Sequence, residues 1–394
     1  MQLNKRVRSL AASATLKFSM KAKTLRAQGV DIISFGAGEP DFPTPAHIAD
    51  AGIKAIQDGK TRYTPSIGII ELREAIAQKL KRDNDLVYEP SQIHVTCGAK
   101  HAIFNVLSAL CEPGDEVLIP APYWVSYVEQ VKACGGAPVI IDSQESRGFK
   151  ITPEQLAAAV TPKSRFFIFN SPSNPTGAIY DEDECRLLAE VCLRHGLTVI
   201  ADEIYEKLVY DGATHFSIAQ SSPEMLDHCF VVNGLSKTYA MTGWRVGYVA
   251  GPKEIMAGMS RLQDHATSNI NTPAQWAGLE AISGDQSCVD EFALLFDRRR
   301  QLALCLFEDI KGVTVSKPRG SFYLFPNVSQ HFGRNLAGRE IRNSEDFVEA
   351  CLDGPRIACV PGSAFGKEGY IRISYATSDE HIEKGLLRMK EFLA

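Results

Sequence analysis

Asn233-Gly234-Leu235-Ser236-Lys237-Thr238-Tyr239-Ala240-Met241-Thr242-Gly243-Trp244-Arg245-Val246-Gly247 follows the short apolar run Phe230-Val231-Val232. That run reads as a buried strand, which puts Ser236-Lys237 on the loop just past the strand end. A lysine held there among small residues sheds its proton and attacks a carbonyl, because partial desolvation disfavours the ammonium. Arg245 stands eight positions after Lys237, spaced to offer a guanidinium fork to a phosphate in the same pocket. Taken alone, a Ser-Lys pair and an arginine on a Gly-rich loop are ordinary surface features. The rest of the chain has to decide.

Upstream, apolar runs alternate with helical patterns. Ile93–Thr96, Val117–Ile119, Phe166–Phe169 and Leu197–Ala201 read as strands, and a run such as Phe-Phe-Ile-Phe is typical of a strand buried on both faces. The alternation from about Pro45 to about Gly284 predicts an α/β fold with a mostly parallel sheet covered on both sides. Candidate site residues fall at the strand ends, where open α/β sheets bind ligands. Gly98-Ala99-Lys100 turns a strand into a helix, and such a turn grips a phosphate through backbone N–H groups and the helix dipole. Pro122-Tyr123-Trp124, Asn174-Pro175-Thr176-Gly177 and Asp202-Glu203-Ile204-Tyr205 end the next strands. Asp202 and Glu203 compete as the site acid, since strand alternation points neighbours to opposite faces. Gly38, in Gly36-Ala37-Gly38-Glu39-Pro40-Asp41-Phe42, permits close backbone approach to a ligand. Beyond Gly247 the chain reads as helices to about Gly312, with Arg298-Arg299-Arg300 on a solvated face. Short strands then alternate with helices, and Arg372 sits alone among apolar neighbours, where a charge is costly unless paired.

Composition narrows the class. A chain of 394 residues suits a large domain plus a smaller one. A net charge of −5 gives no basic stripe for nucleic acid or anionic membrane, and no apolar run approaches a bilayer span. The ten cysteines show no C-x-x-C pair and no zinc-like spacing. They read as reduced thiols of a cytoplasmic protein, with no metal site implied. Residues 1–30 carry seven basic residues, from Lys5 to Arg26, and no acidic one, a composition shared with transit peptides.

The run from Gly234 to Gly247 resembles the pyridoxal-phosphate attachment signature of class I aminotransferases, and the resemblance extends over nearly the whole chain. It implies the type I fold of pyridoxal-phosphate enzymes. A large domain of residues 45–284 would pair with a small domain built from 1–44 and 285–394. It also implies a role for each matching residue. Lys237 would carry the cofactor, with Ser236, Arg245 and the Gly98-Ala99-Lys100 turn around its phosphate. Trp124 would stack on the pyridine ring, Asp202 would keep the ring nitrogen protonated, and Asn174 and Tyr205 would hold the phenolic oxygen. Arg372 would bind the substrate α-carboxylate, with Gly38, Trp124 and Asn174 beside it. Tyr63, in a K-x-Y-x-P loop, would reach the partner's cofactor phosphate in a homodimer.

Within that family the Ser13-Ala14-Thr15 segment and Lys100 are similar to the bacterial branch of aspartate aminotransferases, where they handle the distal carboxylate. This implies ping-pong transamination between amino acids and 2-oxo acids, with aspartate and 2-oxoglutarate the leading pair. It also argues that the N-terminal segment belongs to the mature fold. Prephenate or aromatic substrates, a β-lyase reaction, and a binding or regulatory protein on the same fold are the alternatives.

Overall fold

The computed structural model describes residues 1–12 and 14–394, so Ser13 lies outside the described residues. Seven strands make the main sheet: β1 (Ile93–Thr96), β2 (Glu116–Ala121), β3 (Ala137–Asp142), β4 (Ser164–Asn170), β5 (Thr198–Asp202), β6 (Cys229–Gly234) and β7 (Gly247–Ala250). Their spatial order is β1-β7-β6-β5-β4-β2-β3. Every pairing from β6 to β3 is parallel, and β7 runs antiparallel to both of its neighbours.

The central strands are apolar throughout because both faces are covered. Phe167, Phe169, Val199, Ala201 and Val231 enter one core. The residues between them, Phe166, Ile168, Ile200, Phe230 and Val232, enter the core on the other face. This is the period-2 alternation of a strand, with each large side chain contributing about 1.5–3 kcal/mol by leaving water.

A further core gathers around the helices Ser287–Glu308 and Asp379–Leu393 and the strands β8 (Tyr323–Leu324) and β10 (Ile371–Ser374), while Val360 of the neighbouring β9 (Val360–Pro361) packs in a smaller cluster with Phe149 and Phe365. These strands lie antiparallel in the order β9-β10-β8. Phe18, Ile33 and Phe35 from the N-terminal segment join this core, as do Ile204, Tyr205 and Leu208 from beyond β5. Ile33–Ser34 pairs in parallel with Ile357–Ala358, tying the two ends of the chain together.

Several expectations are corrected. Gly247–Ala250 is a strand, not the start of a helical region. Four residues opening on glycine carry too little periodicity to show it, and two neighbouring strands supply the order. Ala137–Asp142 is a strand that the sequence reading passed over. Ser236 and Lys237 lie in a one-turn helix, Leu235–Thr238, instead of a loop. The arginine run is not a solvated face, because Arg299 and Arg300 are buried. Arg299 pairs with Asp41 at 2.7 Å and Asp379 at 3.3 Å. Among the described residues no helix is long and apolar enough to cross a membrane, and all ten cysteines are free thiols.

Candidate active site

Parallel strands bring their carboxyl ends to one edge, so the segments leaving β2, β4, β5 and β6 meet there. They face residues of the further core across a cavity of about 670 Å³. Gly38, Ala99, Lys100, Trp124, Asn174, Asp202, Tyr205, Ser236, Lys237, Arg245, Arg372 and Thr15 all line it. Positions as far apart in sequence as 15 and 372 thus share one wall. Tyr63 stands apart from the wall, 91% exposed on the outer surface.

Lys237 leaves the short helix after β6 and donates its ammonium to the Gly38 carbonyl. Burial pushes its pKa down to about 8; Glu39 opposes the fall, while Arg372 and Arg245 add to it. A measurable fraction of the amine is therefore unprotonated near neutral pH. Asp202, at the end of β5, is 3% exposed. Its Oδ2 accepts the Tyr127 hydroxyl at 2.6 Å and its Oδ1 accepts the Ile204 N–H at 3.3 Å. Burial pushes this carboxyl up to about 6, and both hydrogen bonds hold it lower than burial alone would.

The competition between Asp202 and Glu203 is decided by direction. Asp202 lines the cavity, whereas Glu203 accepts from Ser217 Oγ at 2.5 Å and has His215 Nε2 at 3.1 Å. Glu203, Glu206 and His215 lie close enough to share an ion. Lys79 already provides a cation there, paired with Glu206, which also accepts from Asn84 at 3.0 Å.

Arg372, on β10, is 3% exposed. Its Nη1 donates to Asn174 Oδ1 at 3.0 Å and its Nη2 to the Gly36 carbonyl at 3.1 Å. Among the described residues its Nε has no partner, and Tyr323 and Phe365 lie under the guanidinium at 4.3 and 5.0 Å. Arg245 donates to the carbonyls of Thr242 at 2.8 Å and Cys97 at 3.1 Å. Lys100 lies over the Trp124 ring at 4.9 Å, and burial followed by the nearby Arg245 lowers its pKa. Among the described residues none of these three cations, nor Lys237, has a carboxylate in salt-bridge range. Buried or clustered cations left this way favour an incoming anion.

The turn into the helix Ala99–Leu110 fits that anion. Gly98 has φ +79°, and a Cβ there would come within 2.5 Å of Arg245 Nη2. Only glycine leaves room for the guanidinium beside the helix N-terminus, where backbone N–H groups remain for a phosphate. Gly247 has no side chain for the same reason, since a Cβ would run into the backbone at Gly98 and Ala99. A phosphate at this turn, a ring beside Trp124 and a basic ring nitrogen near Asp202 are what the residues fit.

Sequence reasoning missed four members. Tyr127 bonds Asp202, and Tyr323 bonds the Tyr205 hydroxyl at 3.0 Å. Asn170 accepts the Asn174 N–H at 2.9 Å and donates to the Asp202 carbonyl at 2.8 Å. Thr242 donates to Glu39 at 2.8 Å. Asn170 carried a signal, as the polar residue closing an apolar strand; the two tyrosines bond across 75 and 118 positions and carried none.

Comparison with known proteins shows the family. Residues 30–388 match the family model of aminotransferase class I and II. The chain is 49% identical over 393 residues to the aspartate aminotransferase of Geobacillus stearothermophilus, covering all of this chain and 99% of the relative. It is 46% identical to the aspartate/prephenate aminotransferase of Cereibacter sphaeroides over 384 residues, covering 97% and 96% of the two chains. Among solved structures, the aspartate aminotransferase of Rhizobium meliloti superposes with a TM-score of 0.96 at 41% identity, covering 100% and 99% of the two chains. The Thermus thermophilus enzyme with maleate gives 0.93 at 39% identity, with both chains fully covered. A lysine of lowered pKa, a buried acid and unpaired cations round one cavity are thus set in a fold shared over its full length: the chain belongs to the class I and II aminotransferases.

Proposed function

We propose that the protein is a pyridoxal-phosphate-dependent aminotransferase acting on L-aspartate and 2-oxoglutarate, giving oxaloacetate and L-glutamate by a ping-pong mechanism. The observation that carries the reading is one cavity uniting Lys237 with the unpaired Arg245 and Arg372. When bound, the cofactor supplies an electron-poor ring that stabilises negative charge developing at the substrate Cα. Lys237, with its lowered pKa, would hold the cofactor and would then carry the proton from the substrate Cα to the cofactor carbon C4′. Asp202 holds a proton at the pyridine nitrogen. Asn174 and Tyr205 hold the phenolic oxygen, and Trp124 covers one ring face and keeps water from it. Arg245, Ser236 and the backbone N–H groups of the Gly98-Ala99-Lys100 turn take the phosphate, leaving the Lys100 ammonium to the substrate.

The α-carboxylate goes to Arg372, whose unpartnered Nε and carbonyl-bound Nη atoms suit an anion better than another neutral group. Gly38, Trp124 and Asn174 flank it. The distal carboxylate goes to Lys100 with Thr15, and with Ser13, which lies outside the described residues. Maleate in the similar Thermus thermophilus structure is itself a dicarboxylate. The exposed Tyr63 is read as a contribution to the partner's site in a homodimer. Residues 45–284 form the cofactor domain, and 1–44 with 285–394 the small domain, in a cytoplasmic protein. A second reading, prephenate as amino acceptor, is motivated by the aspartate/prephenate relative at 46% identity.

The test is a panel of amino donors against 2-oxoglutarate, read as kcat/KM, with prephenate as alternative acceptor. Lys100→Ala is expected to weaken aspartate and glutamate by about 2–4 kcal/mol while sparing alanine and phenylalanine. Equal losses for diacid and neutral donors would assign Lys100 to the phosphate or the fold. A chain that does not turn yellow with pyridoxal 5′-phosphate, or stays yellow on adding aspartate, would remove the reading altogether.

A further inference from the structure

Asp202 is buried beside the cavity, yet it has one side-chain hydrogen-bond donor among the described residues, the Tyr127 hydroxyl at 2.6 Å. Tyr127 is itself 2% exposed and sits in the first turn of the helix Ser126–Cys134. Its backbone N–H donates to the Trp124 carbonyl at 3.0 Å. Its ring meets the Trp124 ring edge-on, with centroids 5.3 Å apart and planes at 84°. One side chain therefore touches both the acid at the strand end and the aromatic ring beside it.

The chemistry of that donor matters. A lysine or arginine at this position would neutralise Asp202 in an ion pair and compete for it with any cationic nitrogen in the cavity. A phenol favours the ionised carboxylate while adding no positive charge, so the negative charge stays available. The second oxygen is held by a backbone N–H at 3.3 Å, a weaker restraint. Without the tyrosine hydroxyl, the carboxylate would be free to rotate and to stay protonated, because burial opposes its ionised form.

We propose that Tyr127 is a positioning residue that fixes the orientation and charge of Asp202 through its hydroxyl while its ring props Trp124. This rests on the function proposed above, in which those two side chains contact the cofactor ring; Tyr127 would act on the cofactor only through them. The hydroxyl and the ring make separable contributions. Removing the hydroxyl alone leaves the packing against Trp124 in place and isolates the effect on Asp202.

The test compares wild type, Tyr127→Phe, Asp202→Asn and the double variant, each stripped of cofactor and checked for folding by circular dichroism. The primary readout is the dissociation constant for pyridoxal 5′-phosphate by absorbance titration, with kcat and KM for aspartate alongside. Tyr127→Phe is expected to fold, to bind the cofactor about tenfold or more weakly and to lose kcat by a similar factor, as for a hydrogen bond to a charged group. KM for aspartate should change less than about twofold, because Tyr127 does not touch substrate. In the Asp202→Asn background the same substitution should add less than about twofold to either quantity, since no carboxylate charge remains for the hydroxyl to hold. Equal losses in both backgrounds, or no loss in wild type, would overturn the proposal. If wild type itself failed to bind the cofactor, the functional reading would fall first, and this inference with it.

Discussion

Arg300 and Arg372 are both buried guanidiniums, 0% and 3% exposed, and their surroundings are opposite. Arg300 is fully engaged: it bonds Asp211 at 2.7 and 2.8 Å, Asp297 at 2.9 Å and the Pro318 carbonyl at 2.6 Å. Among the described residues Arg372 has one amide oxygen, one carbonyl and two aromatic faces, with an orphan Nε and no carboxylate. A buried charge is expensive to leave uncompensated. Where a fold leaves one so, at a cavity edge, the missing counter-charge is the ligand's. Residue type and depth are shared; the partner list separates a strut from a binding group.

The largest expected effect lies with the amine facing Arg372 across the cavity. Lys237→Ala should fold and lose at least about 10³-fold in turnover, since acid–base transfer alone contributes that much. Near-normal turnover in that variant would move the chemistry to another lysine. Arg300→Ala sharpens the contrast by losing stability instead. Breaking one side of a buried ion pair costs about 3–5 kcal/mol, and the part-exposed Asp211 and Asp297 put this case at the low end. Urea unfolding of the cofactor-free chain gives the loss. The protein that remains folded should keep wild-type kcat/KM.

Asp202 extends the comparison to a carboxylate. Its folded-state pKa of about 6 lies above the ordinary 3.8, so the folded cofactor-free chain binds a proton more tightly there than the unfolded chain. The contribution is favourable below pH 3.8 and is lost as pH rises through about 6, a swing of about 3 kcal/mol. Asp202→Asn should therefore raise the Tm of the cofactor-free chain at pH 7.5 while slowing proton abstraction. A lower Tm at that pH would mean the Tyr127 bond outweighs the cost of burial.

The sheet was legible where strands were long and doubly buried: Phe166–Phe169 lies inside β4, and the predicted strand at 197–201 became β5. It was illegible at Gly247–Ala250, whose order comes from neighbours on both sides. Lys237, Asp202 and Arg372 stood out as candidates because each ends or follows a strand or stands alone among apolar residues, whereas Asn174, in a turn past β4, became a candidate only through the resemblance. The choice between Asp202 and Glu203 needed coordinates, since alternation says that they differ in direction but not which faces the cavity. Arg299 and Arg300 were misread because a run of three arginines on a helix has the composition of a solvated face. Their partners Asp41, Asp211 and Asp379 lie 80 or more positions away.

The central claim is that the counter-charge missing from Arg372 is the substrate α-carboxylate. The most direct measurement is kcat/KM of Arg372→Ala for aspartate, glutamate, alanine and phenylalanine, with urea unfolding of the same cofactor-free protein. The account predicts a loss of about 10²–10³-fold for all four donors, which share the α-carboxylate, and a stability equal to or above that of wild type. Loss confined to the two diacids, or a stability loss like that expected of Arg300→Ala with kinetics intact, would contradict it.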